Sequence, residues 1–203
     1  ALVGHSIPVF FFGIVGLVIF YANLNLVAGP GRVDVFYEGL VEPKTGLMLV
    51  DTLLAGETEI FWNALSHILL PAIILAYMAM AYITRMTRAF TLEQLSQDYV
   101  IAARAKGVRP ARTVTRHMLP NIAVQLITVL AISYGNLLEG AVVTEIVFSW
   151  PGIGQYMTNA LLIGDMNAIL AATIVIGFIF MMLNFLADVA YTTLDPRTRE
   201  VAR

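Results

Sequence analysis

One apolar stretch of this chain carries a row of groups able to bind or relay: Asn121, Gln125, Thr128, Asn136 and Glu139. At about 100° per residue they fall within an arc of roughly 80°, so a helix here has a polar face from end to end. Amides, a hydroxyl and a carboxylate are costly in lipid and turn towards a water-filled cavity or a partner helix. The row therefore reads as a candidate lining of a solute path, with helix pairing as the alternative. Other chemistry is sparse. No H-E-x-x-H, nucleophile elbow, paired-carboxylate site or phosphate-cradling G-x-x-x-x-G-K-[ST] occurs, so catalytic residues are assigned to none. Cysteine is absent and His5, His67 and His117 lie far apart, which points to no metal. His67 and His117 read as interfacial or capping groups, and Met78, Met80, Met86, Met181 and Met182 as adaptable packing.

The elements that must position these groups are membrane helices. The 203 residues are 59% hydrophobic and 13% charged, too apolar for one soluble core to hide. A hydrocarbon layer about 30 Å thick needs roughly 20 apolar helical residues. Four stretches qualify: Ile7 to Val27, His67 to Thr84, Leu119 to Val143 and Ala168 to Tyr191. The expectation is an all-α polytopic bundle forming a single transmembrane domain, with Pro71 kinking the second span.

Charge orients the spans. Of twelve basic residues, seven (Arg85, Arg88, Arg104, Lys106, Arg109, Arg112, Arg116) lie in the loop 85–118 and three (Arg197, Arg199, Arg203) in the tail. The positive-inside rule puts both on the cytoplasmic side and the C-terminus inside. The acidic stretch Ala28 to Trp62 then faces outward as a solvated connector, with Phe61, Trp62, Trp150 and Tyr156 as interfacial anchors. Glu145 and the turn Trp150-Pro151-Gly152-Ile153-Gly154 fall at the outer end of the third span, and Asp188 near the inner end of the last is expected to pair with Arg197 or a loop arginine. The net charge of -2 suggests no nucleic-acid partner.

The loop 85–118 is longer than a turn requires and rich in helix formers. Thr91 is expected to cap a short helix, Gly107 to break it, and Pro110 to start another that runs into Pro120. The product is a helix-turn-helix elbow carrying the small residues Ala102, Ala103 and Ala105 and a net charge of +5. Such a basic elbow serves as an anchor on anionic lipid or as a docking handle for a cytoplasmic protein.

Ala102-Ala103, three residues, Gly107, nine residues, then His117-Met118-Leu119-Pro120 resembles the Glu-Ala-Ala loop of permease subunits of binding-protein-dependent ABC importers. Ile101 replaces the acidic residue and His117 the usual isoleucine. With YVIAARAKG, GAVVTEIVFSWPGIG and LDPRTR, nearly the whole chain is similar to the peptide/nickel permeases. Ser6-Ile7-Pro8 and HILLPAIILAY resemble their B-type subunit, of which this would be a piece beginning just ahead of the third of six spans. The resemblance implies ATPase-coupling positions at Ala102, Ala103, Arg104, Lys106, Gly107, Arg109, Leu119 and Pro120, and a candidate outer gate at Glu145, Trp150, Pro151, Gly152 and Gly154. It implies import of peptides, glutathione or a nickel complex through half of a pathway shared with a second permease subunit. Two cytosolic ATPase subunits would hold ATP and Mg, this chain needing no cofactor, and an extracytoplasmic solute-binding protein would deliver the solute. The setting is a bacterial or archaeal inner membrane. A secondary transporter is the alternative; it would place an ion-coupling carboxylate near the midplane, whereas Glu139, Glu145 and Asp188 sit towards span ends.

Overall fold

In a computed structural model, residues 7–194 are described; His5, Ser6 and the LDPRTR tail from Asp195 onward, with Arg197, Arg199 and Arg203, lie outside them. The described residues are helical, without a strand, as expected where backbone groups must be satisfied within the segment in lipid. In chain order they form α1 (Val9–Gly16), which continues as a wider π-helical segment (Leu17–Asn23), a single 3₁₀ turn (Val35–Tyr37), α2 (Met48–Ala55) and α3 (Thr58–Leu95). Next come α4 (Asp98–Ala105), α5 (Pro110–Arg112), a second π-helical segment (Thr113–Met118), α6 (Leu119–Val147), α7 (Ile153–Ile163) and α8 (Met166–Leu194).

Among the described residues three helices are long and apolar enough to cross a membrane: α3, the continuous helix Pro110–Val147, and α8. The first expected span is a shorter apolar helix, Val9–Asn23. At 1.5 Å per residue the 38 residues of α3 measure roughly 57 Å, well beyond a hydrocarbon core of about 30 Å. The expected span His67 to Thr84 is thus the middle of a longer rod, with Pro71 inside it. One expectation is corrected here. Thr91 does not start a helix; it lies within α3, its Oγ1 donating to the Thr87 carbonyl at 2.7 Å. No Gly or Pro interrupts Ala72–Leu95, and the break falls at Ser96–Gln97, where Gln97 is extended (ψ 144°) and precedes α4.

Packing divides the described residues into two units. One comprises the chain up to Met78 together with Leu137–Ala172. Its core is Leu70, Ile74 and Phe148, against which Phe12, Leu17 and Trp150 pack. Glycine makes the approach of α1 possible: a Cβ on Gly16 would touch Leu70 and Ile74 methyls at 3.4 Å, and one on Gly13 would crowd Val147 at 3.0 Å. The other unit comprises Ala79–Asn136 and the chain from Thr173. Its core is Val100, Met118 and Ile122, covered by Phe90, Leu95, Tyr99 and Leu126.

Candidate functional site: elbow, polar face and turn

The elbow is α4 and the turn that follows it. Val100 is fully buried and Tyr99 donates to Gln94 Oε1, so one side of α4 is fastened to the end of α3 and the start of α6. The opposite side is uncovered by the described residues. Ile101, Ala102, Arg104, Ala105 and Lys106 are exposed and Ala103 is half-buried. The helix ends as expected at Gly107, whose φ of +73° is left-handed. Val108 N–H donates to the Ala103 carbonyl at 3.1 Å and Gly107 N–H to the Arg104 carbonyl at 2.9 Å, the paired bonds of a Schellman stop. Pro110 then opens the next helix, with Arg109 exposed beside it. Leu119 and Pro120 are exposed where the π-helical segment returns to α.

Along α6, Asn121, Thr128, Asn136 and Glu139 are exposed on the chain, while Gln125 is half-buried. Asn121 Nδ2 donates to the His117 carbonyl at 3.1 Å. Gln125 Oε1 is sealed off and, among the described residues, has no donor. The row therefore includes a polar acceptor turned into the chain itself. Asp188 is exposed and, among the described residues, makes no ion pair.

The turn after α6 is tightly built. Ser149 is left-handed (φ 49°) and Trp150 N–H donates to the Glu145 carbonyl at 2.8 Å. The Glu145 carboxylate accepts from Gln155 N–H at 2.9 Å, satisfying a first-turn amide of α7, a favourable place for negative charge. A methyl on Gly152 would overlap that carboxylate, and one on Gly154 would lie 2.6 Å from Val142 Cα. Trp150 is half-buried in the core, Pro151 exposed.

Sequence reasoning missed a polar seam. The connector read as solvated is laced to α3: Tyr37 Oη donates to Glu59 Oε1 at 2.6 Å, and Asp34 and Asn63 bond reciprocally, Asp34 N–H to Asn63 Oδ1 at 3.0 Å and Asn63 Nδ2 to Asp34 Oδ2 at 2.5 Å. His67, 3% exposed, faces the Gly29 carbonyl through Nδ1 at 2.9 Å and Asp34 Oδ1 through Nε2 at 3.2 Å. The contact with the Gly29 carbonyl is a hydrogen bond when Nδ1 carries the proton. Glu59, Asn63 and His67 stand at i, i+4 and i+8, one helix face, which was the available signal. The Glu59 bond raises the Tyr37 hydroxyl above the usual tyrosine range. In the same connector Asp51, 3% exposed, accepts from Thr45 Oγ1 at 2.7 Å, Thr45 N–H at 2.8 Å and Gly46 N–H at 3.1 Å. Chiefly the Thr45 hydroxyl, and with it the backbone donors against the opposing effect of burial, holds this carboxyl below the usual aspartate range.

Comparison with known proteins agrees with this architecture. Residues 1–200 match the family described as "Binding-protein-dependent transport system inner membrane component". The chain is 41% identical to the di/tripeptide transport system permease protein DppB of Pseudomonas aeruginosa (strain UCBPP-PA14), over 98% of this chain and 59% of that protein. It is 40% identical to the probable D,D-dipeptide transport system permease protein DdpB of Escherichia coli K12, over 97% and 58%, and 38% identical to the dipeptide transport system permease protein DppB of the same strain, over 98% and 59%. The chain thus spans about three-fifths of the length of these relatives. A helical, multi-pass chain whose family match runs almost end to end, it belongs to the inner membrane components of binding-protein-dependent transport systems.

Proposed function

We propose that this chain is a permease subunit of an ATP-driven importer of short peptides, forming half of the path across the membrane and taking its stroke from a separate ATPase through α4. The observation that carries the reading is the build of the elbow. A helix anchored by buried Val100 and stopped by a Schellman turn holds its small and basic residues outward. Small residues permit close approach of another backbone, and Arg104, Lys106 and Arg109 orient it. Peptides as cargo are supported by the names of the relatives. In this reading Val9–Asn23 completes four spans, the elbow and C-terminus are cytoplasmic, and a second permease subunit and a solute-binding protein complete the assembly. Asn121, Thr128, Asn136 and Glu139 belong to the solute path, with Gln125, whose oxygen turns into the chain, behind them, and the Glu145–Gly154 turn belongs to its outer gate.

The test is uptake of a labelled dipeptide into proteoliposomes holding the full assembly. ATP-dependent uptake is expected, and uptake indifferent to ATP overturns the reading. Gly107→Val, strained by its left-handed φ although nothing lies within 4 Å of a new Cβ, is expected to cut uptake at least about tenfold at unchanged membrane level. Gly107→Asn, which tolerates that conformation, is expected to retain most of it.

A further inference from the structure

Beyond the exposed side of α4, the same elbow holds a concavity of about 680 Å³ on the segment that follows. That volume lies within the range of ligand sites, roughly 300–1,000 Å³. Its walls carry Lys106, Arg109, Arg112, Arg116 and His117, and among the described residues no carboxylate lines it. The arginines are spaced i, i+3 and i+7 at the start of the continuous helix Pro110–Val147, so like charges stand one above another on adjoining turns. Such stacking is unfavourable without a counter-anion. Among the described residues none of these side chains has an acidic partner within 4 Å, the one acid–base contact there being that of His67 with Asp34. The cleft also ends two residues before Leu119, where the long apolar run begins. A cationic cleft where an apolar run begins is suited to the depth of phospholipid headgroups.

We infer that this cleft binds the phosphodiester of an anionic phospholipid headgroup, with Arg112 and Arg116 as its principal ligands and Lys106, Arg109 and His117 around it. Planar guanidinium groups match phosphate oxygens in pairs, which favours arginine over lysine in this role. The basic charge of the elbow then has two uses: Arg104, Lys106 and Arg109 border the protein-facing side of α4, and Arg112 and Arg116 on the following turns hold a lipid, with Lys106 and Arg109 at the edge of both. This inference is independent of which solute is carried and of whether α4 meets an ATPase.

The experiment is native mass spectrometry of the full-length permease, purified with the subunits that accompany it, from micelles containing phosphatidylglycerol or phosphatidylcholine, with inorganic phosphate as a separate competitor. Phosphatidylglycerol is expected to be retained at least about fivefold better than phosphatidylcholine, and that preference to vanish in Arg112→Gln/Arg116→Gln and to survive in part in Arg112→Lys/Arg116→Lys, because lysine still binds phosphate as a point charge. Arg88→Gln, a basic residue outside the cleft, is expected to leave it intact. Should the double glutamine variant not fold, Arg116→Gln alone is expected to lower retention at least about twofold. Equal phosphatidylglycerol retention in wild type and cleft variants overturns the inference. Displacement by inorganic phosphate without preference between the two lipids overturns the lipid source. Loss of a protein subunit from the variant at unchanged lipid retention overturns it too, giving the cleft to a protein partner.

Discussion

Gly107, Gly152 and Gly154 are glycines for different reasons, and the difference is measurable. At Gly107 there is space but the torsion excludes most side chains; at Gly154 there is no space, because a methyl would press on the backbone of Val142. At Gly152 the obstacle is only the mobile end of Glu145. Gly154→Ala is therefore expected to destabilise the protein by about 1–3 kcal/mol, in the range of overpacking. Gly152→Ala should cost less than Gly154→Ala, its effect being loss of the bond from Gln155 N–H as the carboxylate moves aside. Thermal unfolding of both variants in detergent checks the order. Asp51 supplies a pH prediction. Its carboxyl is depressed in the folded state, so its stabilising effect is complete above the ordinary aspartate value, about 3.9, and is lost as pH falls through the lower folded value. Protease sensitivity of the connector around Thr45–Asp51 is expected to rise only below about pH 4. In Asp51→Asn it should be higher at neutral pH and change less with acid.

At the scale of elements, α4 is eight residues long and depends on what it packs against. Short helices are marginal alone, and Val100 is its buried anchor. Val100→Ala is expected to cost about 2 kcal/mol and to raise amide exchange across α4 more than in α8. Long apolar runs made the helices legible in the sequence, and a glycine followed three residues later by proline made the elbow's turn legible. Thr91 misled because a threonine hydroxyl caps a helix start or bonds back to the i−4 carbonyl with equal ease, and only the unbroken helix around it decides. The seam of the connector was hidden for another reason. Its partners lie 22 to 38 residues apart, and local rules of spacing do not reach that far. Along α6 the periodicity did not foretell the inward turn of the Gln125 oxygen, because a helical wheel places a Cβ and not the end of a long side chain.

For the molecule as a whole, most large apolar side chains of α8 are exposed on the chain, Ile174 and Phe185 among them. An aqueous reference state would give this protein a misleading stability; lipid or other subunits must cover that surface. The seam between the connector and α3 also has a consequence for the order in which the chain assembles. Three of its contacts close nested loops of 22, 29 and 38 residues, Tyr37 to Glu59 inside Asp34 to Asn63 inside Gly29 to His67. Once the innermost is shut, each outer closure adds only a few residues of free chain on either side, so its entropic cost is small. The seam therefore fastens from tip to root like a zip. Tyr37→Phe is expected mainly to slow closing and His67→Leu mainly to hasten opening, with the Asp34 amide, whose bond to Asn63 lies between them, reporting both rates by hydrogen exchange.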